Sequence, residues 1–207
     1  MRRDSILSTI RKIDKRIFTT RQLSYASGKS SSAVNQSLNN LAREGNVLKI
    51  YRGIWAIRLL GEAISSYAVI PYLFPTARAY VSFISALHIY GIIEQIPQVT
   101  TLATTAHART IRTAVGSFYA HRVMPSFFAG FDWYKGNGSF LIAEPEKALV
   151  DSLYLSAYKK KRFGNFPELH FPESFSFKKA KMWVNKIPSS KARVYAAKKL
   201  AEIASSE

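Results

Sequence analysis

Apolar residues recur in the first sixty positions at helical spacing and then in alternation. Ile6, Leu7, Ile10 and Ile13 share one stripe and predict a helix over residues 4–13. Leu23 and Ala26 lie three apart, Thr20 can cap the stretch and Gly28 can take the positive φ that ends it, so Thr20–Ala26 reads as a short second helix. Val34, Leu38 and Leu41 then fall at i, i+4 and i+7 and predict a third helix over Lys29–Arg43. After Gly45-Asn46 the period changes. Val47–Tyr51 and Ile54–Ile57 alternate about Arg52-Gly53 as a two-stranded hairpin, with Trp55 and Ile57 closing a small core. Helix, helix, third helix and hairpin together predict a winged helix-turn-helix domain over residues 1–60.

Beyond it the pattern is less regular. Residues 61–79 read as a connector: Tyr67, Val69, Ile70, Tyr72, Leu73 and Phe74 are too apolar for a free linker, and Pro71 and Pro75 forbid a long helix. From Tyr80 a second domain is expected to run to residue 158. It should start with a helix capped by Ser82 and stopped at Gly91, followed by a strand over Val99–Thr104 and a polar basic loop over Thr105–Thr113. Ser117–Val123, Phe127–Trp133 and Ser139–Ala143 read as further strands, the last two joined through Lys135-Gly136-Asn137-Gly138. Pro145 suits the first turn of a helix continued by Ala148, Leu149, Ser152 and Leu153. Residues 159–207 read as a basic extension with helices near 176–186 and 189–204, separated by Pro188. The fold class expected is α+β: a winged helix followed by a mixed α/β domain with a small antiparallel sheet and C-terminal helices.

The third helix carries the candidate chemistry. Opposite its apolar stripe lie Ser32, Gln36, Asn39 and Arg43, whose hydrogen-bonding heads suit base edges in a DNA major groove. Lys29, Ser30 and Ser31 stand at its N-terminus, where outward N–H groups favour a phosphate. The candidate DNA-binding set adds Asn35 and Asn40 from the same helix, Thr20, Arg21 and Gln22 from the helix before it, and Lys49, Tyr51 and Arg52 from the wing. A merely solvated helix face is the plain alternative, and the hairpin that follows weighs against it.

Charge sharpens that reading. The 207 residues carry a formal net charge of +17, which favours partners with phosphate or other anionic surfaces. Residues 1–60 hold 12 Lys/Arg against 3 Asp/Glu, residues 61–155 hold 6 against 6, and residues 156–207 hold 12 against 4. A uniformly basic composition would not leave the middle neutral. In the second domain Arg109 and Arg112, on the expected loop, and the run Lys159-Lys160-Lys161-Arg162 form a possible basic surface towards RNA or an acidic protein.

Other chemistries find little support. Without cysteine there are no disulfides or thiolate sites, and His88, His107, His121 and His170 are too scattered for metal ligation. No phosphate-cradling loop or dinucleotide turn is present, so no cofactor and no metal is expected. Glu144-Pro145-Glu146-Lys147 invites comparison with metal-dependent nucleases, which place one spacer between the acidic residue and the lysine; here Glu146 and Lys147 are adjacent. In a first helical turn those carboxylates favour the helix dipole without catalysis. The charged N-terminus lacks the apolar run of a signal peptide and no apolar stretch reaches spanning length, so a cytoplasmic protein without membrane association is expected.

Three segments resemble the AbiEi-type antitoxins, transcriptional regulators of abortive-infection (type IV toxin-antitoxin) systems that defend against phage: LAREGNVLKIYRGIWAI from Leu41, YVSFISALHIYGIIEQIP from Tyr80 to Pro97, and IAEPEKALVDSLY from Ile142 to Tyr154. The resemblance covers about residues 5–158. It implies a repressor that binds double-stranded DNA at repeats in its own promoter and a second domain that counteracts a nucleotidyltransferase toxin without a stable complex. The competing readings are a nucleic-acid-processing enzyme gripping its substrate with both basic ends, and a nucleic-acid-binding interaction module with no repressor role.

Overall fold

A computed structural model describes residues 5–59, 61–76, 78–136, 140–158 and 167–205. The chain forms two compact units, Met1–Leu73 with Arg112–Gly116, and Phe74–Ile111 with Ser117–Glu207.

In the first unit, α1 (Ile6–Ile13) starts at Ser5, whose hydroxyl oxygen accepts the Ser8 N–H at 3.1 Å, and stops at Asp14 in the left-handed region. Strand β1 (Ile17–Thr19) leads directly into α2 (Thr20–Ser27). The cap of α2 is Thr19 rather than Thr20. Thr19 is extended and accepts the Gln22 N–H, while Gln22 Oε1 accepts the Thr19 N–H at 2.8 Å, a reciprocal box that leaves Thr20 to turn inward. Gly28, at φ 64°, ends α2, and Ser30 caps α3 (Ser31–Arg43) two residues after the expected start. Strands β2 (Val47–Tyr51) and β3 (Ile54–Ile57) form the expected hairpin around Gly53 at φ 69°.

The sheet of this unit is antiparallel with order β1-β3-β2, so the hairpin gains a third strand. At three residues β1 is too short to show alternation in the sequence. Ile6, Ile10, Phe18, Leu23, Val34, Leu38, Val47 and Trp55 form one buried cluster beneath the helices. A single helical turn, α4 (Ile70–Leu73), is held by the Tyr72 hydroxyl, which donates to the Ile17 carbonyl at 2.9 Å. Residues up to Leu73 of the expected connector thus belong to the first unit.

The second unit holds most of a six-stranded mixed sheet of order β6-β7-β5-β4-β9-β8, comprising β4 (Ala79–Val81), β5 (Thr100–Thr104), β6 (Arg109–Thr113), β7 (Gly116–Arg122), β8 (Phe131–Trp133) and β9 (Leu141–Ala143). This corrects the expectation of a small antiparallel sheet. Two of its pairings, β4 with β9 and β5 with β7, are parallel and join segments far apart in sequence, which local periodicity does not reveal. The expected basic loop is also corrected: Arg109–Thr113 is strand β6. Only Phe131–Trp133 of the predicted 127–133 strand forms one, because Gly130 at φ 77° breaks the extended path. Asn137, Gly138 and Ser139, including the expected Asn-Gly turn, lie outside the described residues.

Helix α5 (Phe83–Ile89) follows β4, and α6 (Pro145–Tyr158) follows β9. Helices α7 (Phe177–Asn185) and α8 (Ser190–Ala204) pack on α6 and on each other through Ala180, Val184, Ala192, Ala196 and Leu200, leaving Lys178, Lys181, Lys191 and Lys198 exposed. Among the described residues no helix is long and apolar enough to cross a membrane.

Candidate nucleic-acid interface

Helix α3 separates its two sides completely. Val34 and Leu38 are 0% exposed, whereas Ser31, Ser32, Asn35, Gln36, Asn39, Asn40 and Arg43 all face solvent. Ser32, Gln36, Asn39 and Arg43 are spaced i, i+4, i+7 and i+11, so they line one side over about 16 Å at 1.5 Å per residue. No acidic residue interrupts that face.

The helix is seated by a short polar chain. The indole N–H of Trp55, itself 1% exposed, donates to Thr20 Oγ1 at 3.1 Å, and the Thr20 hydroxyl donates to Asn35 Oδ1 at 2.9 Å. The sheet, the start of α2 and the first turns of α3 are therefore tied through one hydroxyl. This changes the candidate set. Thr20 is buried and fully engaged inside the unit, so it offers no group to a ligand, and Asn35 has only its amide N–H₂ left to donate outward.

Several other candidates have local duties. Gln22 spends its side-chain carbonyl oxygen on the α2 cap, Ser30 its hydroxyl oxygen on the α3 cap, and Asn40 Oδ1 accepts from Arg43 Nη1 at 3.3 Å. Arg21 is exposed and Lys29 half-buried, its carbonyl accepting the Ser24 hydroxyl at 2.7 Å. On the hairpin, Lys49 lies 5.4 Å from the Trp55 ring centroid, Arg52 is exposed in the turn and Tyr51 is half-buried. Tyr25, 92% exposed on α2, escaped the sequence reading. Its signal is there: two positions after buried Leu23, it falls on the opposite side of the helix.

Of the second-domain candidates, Arg109 and Arg112 are among the described residues. Arg109 lies 5.0 Å from the Phe74 ring, and both Arg109 and Arg112 project from β6. Lys159, Lys160, Lys161 and Arg162 lie outside the described residues. What this unit does bring together are the YVSF and EPEKALVD segments. Lys147 and Asp151, both fully buried, form an ion pair one turn apart on α6. The Tyr80 and Ser82 hydroxyls donate to Asp151 Oδ2 at 3.1 and 2.7 Å, and the Lys147 ammonium also reaches the Tyr80 oxygen at 3.2 Å. Phe127 caps that ammonium, with its ring centroid 3.8 Å from Nζ. Burial holds the Lys147 pKa below its usual value against the pull of Asp151, and burial followed by the Asp151 charge drives the Tyr80 phenol well above its own.

Nearby, Lys179 lies 3.1 Å from Glu144 and 3.4 Å from Glu146, and Trp183 Nε1 donates to Glu144 at 3.3 Å. The carboxylates of the EPEK segment thus fasten α7 to the start of α6. Phe83, at φ 57° and 0% exposed, is a bulky residue in the left-handed region beside this cluster. Every member of the Lys147 cluster is enclosed and shielded from solvent. Among the described residues no group of His, Asp and Glu is arranged to hold a metal ion.

No family model matches the chain, and no curated protein matches it in sequence.

Proposed function

We propose that residues 1–60 form a winged helix-turn-helix domain and that the protein is a DNA-binding autorepressor and antitoxin of a phage-defence operon, counteracting a nucleotidyltransferase toxin. The observation that carries the DNA-binding part is the acid-free outward face of α3, held in place by Val34, Leu38 and the Trp55–Thr20–Asn35 chain. In this reading α3 enters the major groove, with Ser32, Gln36 and Asn39 meeting base edges and Lys29, Ser30 and Ser31 a phosphate. Lys49 and Arg52 on the wing add contacts to the flanking backbone. The antitoxin part rests on the resemblance of the Tyr80–Pro97 and Ile142–Tyr154 segments. The enclosure of Lys147 and Asp151 supports a binding rather than a catalytic second unit.

Titration of the protein against labelled duplex from its own upstream region and against a scrambled duplex at fixed salt tests the repressor role. Tighter binding to the upstream duplex is expected, and equal affinity for both removes the claim. Gln36→Ala and Asn39→Ala should erode the preference, whereas Lys49→Ala and Arg52→Ala should weaken binding to every sequence and flatten the log–log salt slope by about 0.9 per lost phosphate contact. The antitoxin part is tested by co-expression with a nucleotidyltransferase from the same operon: growth should be rescued by the full chain, and failure of rescue rejects it.

A further inference from the structure

The second unit has a cleft that the repressor reading does not use. Ala108, His121, Arg122, Tyr154, Leu155 and Tyr158 line a space of about 280 Å³ between the end of β7 and the last turn of α6. Its floor is firm, with His121 4% and Tyr154 5% exposed. Its rim is open: Tyr158 is 56% exposed and Arg122 faces solvent.

The lining chemistry is selective. Tyr154 and Tyr158 meet edge to face with ring centroids 5.3 Å apart, and His121 adds a third ring, 4.3 Å from Tyr119. Among the described residues no carboxylate lines the cleft, which disfavours a cation, and the guanidinium of Arg122 favours an anion. Burial and then the neighbouring Tyr158 push the Tyr154 phenol up to about 12, so it stays neutral beside an anion at physiological pH. Flat apolar walls with one guanidinium at the rim suit a planar ring carrying a phosphate. The volume is below the usual range for drug-sized ligands, which limits the occupant to one small unit.

We infer that this cleft binds one unpaired nucleotide of a single-stranded nucleic acid, its base stacked on Tyr158 and its phosphate held by Arg122. Aromatic platforms beside a cation are the usual means of holding single strands without reading their sequence. The site is separate from α3 and does not depend on its role.

Anisotropy of fluorescein-labelled six-nucleotide RNA and DNA of the same mixed sequence, with the full-length protein at low salt, tests the inference. Both strands should bind, with adenosine 5′-monophosphate competing weakly if the nucleotide unit alone is recognised. Tyr158→Ala should weaken hexamer binding about 5- to 100-fold and Tyr158→Phe should restore it, because a phenyl ring still stacks. Arg122→Gln should weaken it and flatten the salt slope by about 0.7. Melting curves matching the parent confirm that these rim variants fold, while Gln36→Ala/Asn39→Ala should leave hexamer binding intact. No hexamer binding at low salt overturns the inference. Equal affinity in the parent and Tyr158→Ala, or loss of binding only in the α3 variant, overturns it as well.

Discussion

Helices α3 and α6 have nearly the same length, 13 and 14 residues, and opposite designs. On α3 only Val34 and Leu38 are buried and the polar side chains point outward. On α6 every residue from Glu146 to Ser156 is buried, so Lys147 and Asp151 have no water to turn to. A polar group left in solvent imposes no folding penalty and remains available to a ligand. A polar group taken inside must be satisfied there, and its hydrogen-bonding capacity is spent on the fold. The outward face of α3 leaves its side-chain chemistry in solvent, and the second unit uses much of its own to bind itself together.

The sharpest way to break this contrast is to remove one half of the buried pair. Asp151→Ala leaves the Lys147 ammonium enclosed without a counter-charge and the Tyr80 and Ser82 hydroxyls without their acceptor. A loss of about 3–5 kcal/mol is expected, confined to the second unit. Hydrogen exchange should show faster opening of α5, α6 and β4 while α1–α3 keep their protection. The paired substitution Lys147→Met/Asp151→Leu should recover only the part due to the unpaired ammonium, because the Tyr80 and Ser82 hydroxyls still lack their acceptor. A loss under 1 kcal/mol for Asp151→Ala would mean that water reaches the pair. The matching experiment in the first unit, Leu38→Ala, removes an entirely apolar anchor and should cost about 2–5 kcal/mol there, set by how far α3 settles into the cavity.

The same contrast explains what the sequence disclosed. The apolar stripe of α3 and its polar back were visible because Val34 and Leu38 recur at helical spacing, so the helix by itself sorts them to one side. The hairpin was legible for a similar local reason, whereas β1 was not, because three residues carry no measurable period. In the second unit Pro145 marked the start of α6, yet Lys147 and Asp151 look in sequence like an ordinary solvated i, i+4 pair. Their burial depends on Tyr80 and Ser82, 71 and 69 positions from Asp151, and on Phe127. The parallel pairings that make the sheet six-stranded are equally non-local. Thr20 failed as a ligand-facing candidate because its side chain is claimed by Trp55, 35 residues later.

That hydroxyl offers a smaller test of the first unit. Thr20→Val keeps the shape but removes the acceptor for the Trp55 indole and the donor for Asn35. A stability loss of about 1–2 kcal/mol is expected by chemical denaturation. If the hydroxyl seats α3, DNA affinity should fall beyond what the lost stability explains, with the folded fraction held near complete. Unchanged affinity would reduce the Trp55–Thr20–Asn35 chain to a stabilising contact.

The smallest effect is expected in strong alkali, where the second unit should weaken first. Burial and then neighbouring acidic and phenolic groups raise the Tyr90 phenol to about 12, and burial and then Tyr158 raise Tyr154 to about 12 as well. A phenol whose folded pKa lies above its unfolded value near 10 stabilises fully below pH 10, and that contribution disappears as pH climbs towards 12. Lys147 acts with the opposite sign: its lowered pKa makes stability rise with pH until the unfolded lysine has titrated near 10.5. Between about pH 10.5 and 12 the raised phenols lose their contribution together with Lys179 and Lys199, whose carboxylate partners hold their pKa values up, so unfolding of the second unit should become easier across that interval. Tyr90→Phe and Tyr154→Phe should flatten the alkaline limb, because neither ring can then ionise in the unfolded chain. A limb of unchanged steepness in the double variant would assign the alkaline loss to Lys179, Lys199 or Tyr80, or to the first unit's Tyr72, whose phenol is also raised by burial.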